Sequence, residues 1–227
     1  MNTESREQYT RYYVIMAMVF ITCLIVSNLI AGKVWSVTDK ITVPAAVILF
    51  PVTYILSDVF TEVYGFRKAK TIIWTGFACN LVAVLAYVIT VLLPYPSFWM
   101  NQEAYAIVLG LTPRVLAASY VGYLFGEFSN SFIMSKLKVI TEGKRLWVRT
   151  IGSTVVGEGF DSVIFITIAF AGTMPAAQIA SMILFQYLFK VLFEVILTPV
   201  TYQVIAQLKK REGIDKYDYE KDYRIFR

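Results

Sequence analysis

The sequence predicts an all-α membrane protein, with six transmembrane helices around a polar central cavity. The second helix is expected to be kinked or broken, and both termini to be cytoplasmic. Three observations carry this. First, hydrophobic residues make up 57% of the 227 and charged residues 16%, at a mean hydropathy of +0.60. A soluble domain carries about 25% charged residues, so one soluble core could not hide this much apolar surface. Second, the stretches 12–32, 71–102 and 162–189 hold no charged residue, and each exceeds the roughly 20 residues that a spanning helix needs. Third, the few acids inside the apolar stretches recur at helical spacing. A soluble enzyme, a disordered chain and a coiled coil are excluded. An outer-membrane barrel is excluded too, because its strands alternate with period two, whereas these runs are apolar on every face.

The helices are placed at 12–31, 41–64, 71–93, 113–134, 150–171 and 177–208, forming one domain, with 209–227 as a charged cytoplasmic tail. The first run is too long for a signal-peptide core of about 7–15 residues and reads as a retained span. The second holds Pro44 and Pro51, where a helix should kink or break. The last is long enough to tilt or to project from the bilayer. The connection 94–112 holds Tyr95, Phe98, Trp99 and Tyr105. It reads either as an aromatic belt at the headgroups or as a lid over an outward-facing cavity. The tail reads as solvated, with Lys209, Lys210 and Arg211 at the lipid surface.

Basic residues set the orientation. Arg6 and Arg11 precede the first helix. Arg67, Lys68 and Lys70 follow the second. Lys136, Lys138, Lys144, Arg145 and Arg149 follow the fourth. Seven more lie in the tail. On the opposite side are only Lys33, Lys40 and Arg114. This seventeen-to-three asymmetry puts both termini inside.

Six acids fall within the expected spans: Asp58, Glu62, Glu127, Glu158, Asp161 and Glu194, with Lys190 among them. A charge at mid-span costs about 2.5–3.5 kcal/mol on insertion scales. It is tolerable where the groups face a polar cavity, pair with one another or are protonated. Asp58 and Glu62 are four apart and share a helix face. Gln186, Lys190, Glu194 and Thr198 form a stripe of the same step, along which Lys190 and Glu194 could neutralise each other. Asn28 and Asn80 add amides on the first and third helices. The fourth and fifth helices share the pattern G-E-x-x-[N/D]-S-x-I, from Gly126 to Ile133 and from Gly157 to Ile164. Its Glu and its Asn130 or Asp161 lie three apart, on one face. Polar groups can also simply hold helices together, and the glycines suit close helix packing.

The chain has no histidine, which removes histidine-based zinc sites, Ser-His-Asp and Cys-His catalysis, and an imidazole switch. Cys23 and Cys79 lie in apolar runs and form no CxxC motif. No G-x-x-x-x-G-K-[S/T] motif marks an ATPase in this chain. The net charge of +5 reports topology rather than nucleic-acid binding. No cofactor and no metal site are expected.

At these residues a resemblance emerges. FPVTYILSDVFTEVYG (50–65), GEFSNSFIMSKLK (126–138), RLWVRTIGSTVVGEGFDSVIF (145–165) and FKVLFEVILTPVTYQVI (189–205) resemble the blocks of the queuosine precursor transporter family, also called the vitamin uptake transporter family. The resemblance implies a multi-pass bacterial importer of deazaguanine bases used to salvage a modified transfer-RNA base. The candidate cargoes are 7-cyano-7-deazaguanine, 7-aminomethyl-7-deazaguanine and queuine. It also implies a plan similar to the six-helix substrate-binding subunits of energy-coupling-factor transporters. Service as such a subunit, with a separate ATP-driven motor, is the alternative role, and an intramembrane enzyme is a distant third. The expected partners are the base, the bilayer and, as one option, a second copy of the chain. Asn28, Asp58, Glu62, Asn80, Glu127, Asn130, Glu158, Asp161, Lys190 and Glu194 are the expected substrate-binding residues. One carboxylate can accept both the N1–H and the amino group of a guanine-like edge.

Overall fold

The computed structural model describes residues 9–30, 33–38, 41–110, 113–172 and 175–218. Helix α1 (Arg11–Ile30) leads into a hairpin of β1 (Val34–Thr38) and β2 (Ile41–Pro44), then a 3-10 turn, Ala45–Ile48. Helix α2 (Phe50–Val59) runs directly into a π-helical segment, Phe60–Tyr64. There follow α3 (Phe66–Leu92), α4 (Gln102–Leu109), α5 (Pro113–Ile140), α6 (Leu146–Phe170) and α7 (Ala176–Glu212). Among the described residues, the regular structure is thus helical apart from one short hairpin.

The helix expected over 41–64 departs most from its expected bounds. Residues 41–44 are a strand, paired antiparallel with Val34–Thr38. Ile41, Thr42 and Val43 are β-branched and favour extended backbone, and Pro44 has no N–H to give a helix. Pro51 lies in the first turn of α2, where a missing N–H leaves no helical hydrogen bond unmade. Pro44 therefore ends a strand and Pro51 lies at the start of a helix, instead of both lying within one continuous helix. The irregularity lies further along, in the π segment that carries Glu62. Such segments are rare and concentrate at functional positions.

Helices α1, α3, α6 and α7 are long and apolar enough to cross a membrane. Their outward faces carry exposed apolar side chains, such as Met18 on α1, Val82 and Ile89 on α3, and Leu192 and Ile196 on α7. In water that surface would be costly, whereas hydrocarbon solvates it. At 37 residues, α7 is about 55 Å long against a hydrocarbon core of about 30 Å, so it extends past the bilayer. Pro199 sits inside it and removes one helical hydrogen bond.

The helices close into a ring. Helix α5 packs on α6, α6 on α7, α7 on α2, α2 on α1, α1 on α3, and α3 back on α5. Helix α2 also touches α5, and nearly every described side chain from Thr53 to Tyr64 is buried. This short element, with its two acids, is therefore buried among α1, α5 and α7.

The expected end of the first helix at Ala31, the basic residues Arg6 and Lys40, and the tail beyond Asp218 lie outside the described residues. The rest of the tail corrects the expectation of a solvated extension. Helix α7 continues to Glu212, and residues 213–218 fold back against the helix ends, with Asp218 buried. The connection 94–112 contains the short helix α4, and Phe98, Met100 and Ile107 stand exposed. That suits a belt among headgroups better than a packed lid.

Candidate functional site

The repeated pattern on α5 and α6 is where those helices meet. A Cβ on Gly157 would sit 2.8 Å from the Gly126 carbonyl and 2.8 Å from Asn130 Cβ. A Cβ on Gly126 would sit 2.9 Å from Asp161 Cβ and 3.3 Å from the Gly157 carbonyl. The contact is reciprocal: each glycine admits the other's backbone and the residue four positions beyond it. This near-twofold crossing sets Glu127 and Asn130 beside Glu158 and Asp161.

Each polar pair then finds a different neighbour. From α2, Ser57 donates to Glu127 Oε2 at 2.6 Å. Asn130 Nδ2 donates to Asp58 Oδ1 at 3.2 Å. From α7, Lys190 Nζ donates to Glu158 Oε2 and to Asp161 Oδ2, each at 2.5 Å. One ammonium thus bridges two carboxylates of α6, and four helices contribute to one buried polar cluster. Glu194, one turn beyond Lys190, is fully buried, and neither of its oxygens has a hydrogen-bond partner. Asp58 Oδ2 and Asn130 Oδ1 are also buried without a partner. These four atoms are all acceptors, which a donor-rich ligand could satisfy.

The expected Lys190–Glu194 pair is therefore corrected. Spacing of four on one helix allows it, but Lys190 turns to α6, where two carboxylates offer more Coulomb attraction than one.

Glu62 belongs to a separate cluster. Arg149 grips it through two of its guanidinium nitrogens, Nε to Oε2 at 3.0 Å and Nη2 to Oε1 at 2.8 Å. Lys209 adds a bond of 2.7 Å to Oε1. Lys138 Nζ lies 3.7 Å from Oε1 and donates to the Glu62 carbonyl. Asp215 accepts from both Lys138 and Lys209, at 2.5 and 2.9 Å. Burial alone would raise the Asp215 carboxyl, but the hydrogen bonds and charges of those two lysines outweigh it and hold it below its usual range. Glu62 thus already accepts from Arg149 and Lys209 on both oxygens. Lys138 and Arg149, read from the sequence as loop charges, are almost fully buried within α5 and α6.

The returning tail closes over this cluster. The Lys216 N–H reaches the Val63 carbonyl at 3.1 Å, and the Lys216 carbonyl accepts from Lys138 at 2.6 Å. Asp218 accepts from the Phe66 N–H at 2.8 Å and from Ser135 at 2.5 Å. Its carboxylate thereby caps the start of α3, where the helix dipole favours an anion. Gly65 sits at φ +85°, and a Cβ there would lie 2.8 Å from Asp218 Oδ1, so both backbone and space call for glycine. Sequence reasoning missed Arg149, Lys138, Asp215 and Asp218. Their apposition joins segments more than 70 residues apart, which no local spacing reveals.

Asn28 makes its hydrogen bonds away from both clusters. Asn28 donates to the Leu24 carbonyl at 3.2 Å and accepts from Ser119 at 2.7 Å. Asn80 is buried on α3. Among the described residues no group of three His, Cys, Asp or Glu could hold a metal ion.

A family model described as a putative vitamin uptake transporter matches residues 44–204. The chain belongs to that family. The match runs through the α5–α6 crossing, the Lys190 bridge and Glu194, so the charges of the central cluster lie within the matched segment. A probable queuosine precursor transporter of Bacillus subtilis is 28% identical over 156 residues, covering 68% of each chain. The queuosine precursor transporter of Escherichia coli is 29% identical over 122 residues, 53% of this chain and 52% of its own. A probable queuosine precursor transporter of Haemophilus influenzae is 26% identical over 121 residues, 53% of this chain and 49% of its own. The match thus spans about half the length of the latter two. No solved structure matches the chain. As a vitamin uptake transporter relative with several apolar helices, it is a multi-pass protein of the bacterial cell membrane, a transporter and not an enzyme.

Proposed function

We propose that this chain imports queuosine precursors: 7-deazaguanine bases such as 7-cyano-7-deazaguanine, 7-aminomethyl-7-deazaguanine or queuine. The base would bind in the polar cluster among α2, α5, α6 and α7. The observation that carries this reading is the surplus of unpaired acceptors there, on Asp58, Asn130 and Glu194. A deazaguanine brings adjacent ring N–H and amino donors that such acceptors lack. Relatives bearing that printed function support the choice of base. A bacterial strain unable to make or import these bases should regain the modified base in its transfer RNA when it expresses this chain and is given one of them. Asp58→Asn and Glu127→Gln should each lower the rescue while protein levels hold, because an amide replaces an acceptor with a donor. Full rescue by both variants would remove these acids from the site.

The same reading has α2 with its π segment and α5 complete six spans, with both termini in the cytoplasm and a cavity open to one side at a time. Cysteine labelling tests the orientation in a background of Cys23→Ser and Cys79→Ser. A membrane-impermeant maleimide added outside should reach Phe98→Cys, at an exposed site, and miss Glu142→Cys. The opposite pattern would invert the topology.

A further inference from the structure

We propose that Glu194 is the carboxylate that accepts the paired ring N–H and amino hydrogens of a guanine-type base. This rests on the transport reading above and names the residue that would recognise the cargo's amino edge.

The assignment follows from what the other acids already hold. Glu62 is gripped by Arg149 and Lys209. Glu158 and Asp161 share the Lys190 ammonium. Glu127 accepts from Ser57, and Asp58 has one oxygen on Asn130. Glu194 alone of the six leaves both oxygens without a hydrogen bond, at 0% exposure. A carboxylate presents two acceptors side by side, which matches two adjacent donors in one plane, as in its bidentate pairing with arginine. An acid with one oxygen already holding a donor has fewer lone pairs free for that match.

The neighbourhood agrees. Helix α2, which carries Asp58, packs on α7, which carries Glu194. Asp58 Oδ2 and Asn130 Oδ1 are themselves buried and open, so acceptors from α2 and α5 converge with those of α7. The one cation of the cluster, Lys190, is committed to α6 and leaves Glu194 for the cargo. Thr198 bonds back to the Glu194 carbonyl at 2.8 Å, fixing the helix turn that carries this side chain.

The test is a cycle between protein and ligand. The purified full chain is titrated with 7-cyano-7-deazaguanine and with its analogue lacking the 2-amino group. Wild type should bind the parent at least about tenfold more tightly, a difference of about 1.4 kcal/mol. Glu194→Gln should weaken the parent by about tenfold or more and bring the two affinities within about threefold, since the amide keeps one acceptor and adds a donor. An unchanged preference in the variant, or equal weakening for both bases, overturns the assignment. If Glu194→Gln does not fold, Glu194→Asp takes its place. The shorter acid should bind the parent more weakly yet keep the amino preference, and wild-type affinity for both bases would overturn the proposal. Failure of the wild-type chain to bind either base would sink the functional reading first and this assignment with it. Wild-type binding with an indifferent variant would sink the assignment alone.

Discussion

Arg149→Met should lower the stability of the detergent-solubilised protein by about 3–5 kcal/mol, the usual cost of leaving a buried charge without its partner. Arg149 is 1% exposed and holds both oxygens of Glu62, which is fully buried. Lys209 and Lys138 remain near Glu62 after the change, but neither can replace the two-pronged bond. Arg149→Lys should therefore fall between wild type and the methionine variant, because it keeps the charge and loses the fork. Combining Arg149→Met with Glu62→Gln should cost less than the two single losses together. The check is a set of thermal unfolding midpoints in one detergent. Strictly additive losses would mean that the two side chains do not interact.

Lys190→Met should be the most damaging single change in the central cluster. It leaves Glu158 and Asp161 facing each other with no cation, again at about 3–5 kcal/mol. Removing one of those acids should be far gentler. Asp161→Asn leaves a one-to-one pair of Lys190 with Glu158, so folding should change by about 1 kcal/mol or less, within the range of ordinary substitutions. Adding Asp161→Asn to Lys190→Met should recover part of the lost stability, whereas adding Glu194→Gln should not. Recovery with Glu194→Gln and none with Asp161→Asn would restore the pairing expected along α7 from spacing alone. Uptake measured beside stability separates the roles: a partner variant that folds normally and transports poorly places the acid in the mechanism.

Much of this was legible because lipid imposes simple rules. Uncharged runs of more than 20 residues marked α1 and α3, and a third ran through the end of α6 into the start of α7. The rarity of charge at mid-span singled out every acid of the central cluster before its partners were known. The G-E-x-x-[N/D]-S-x-I copies located the α5–α6 crossing, since glycine, acid and amide recur where two backbones touch. What stayed hidden was pairing across the ring. Lys190 and Glu194 satisfy a local rule, yet the favoured partners of Lys190 lie 29 and 32 residues away. Lys138 and Arg149 obey the positive-inside pattern, and that pattern is silent on whether a charge faces headgroups or a buried acid. The strand over 41–44 was masked because a short apolar run reads equally as strand or helix. The tail was read from charge alone, and the capping role of Asp218 needs the start of α3, 152 residues away.

The central claim is that this chain, by itself, carries a deazaguanine base across a membrane through its polar core. Uptake of labelled 7-cyano-7-deazaguanine into liposomes containing only the purified chain tests it most directly, with unlabelled base and adenine as competitors. The account predicts time-dependent, saturable uptake without ATP or any other protein, blocked by the unlabelled base and not by adenine, whose edge presents a different donor pattern. Binding without uptake until an ATPase complex is added would contradict it and make the chain the binding subunit of a larger machine.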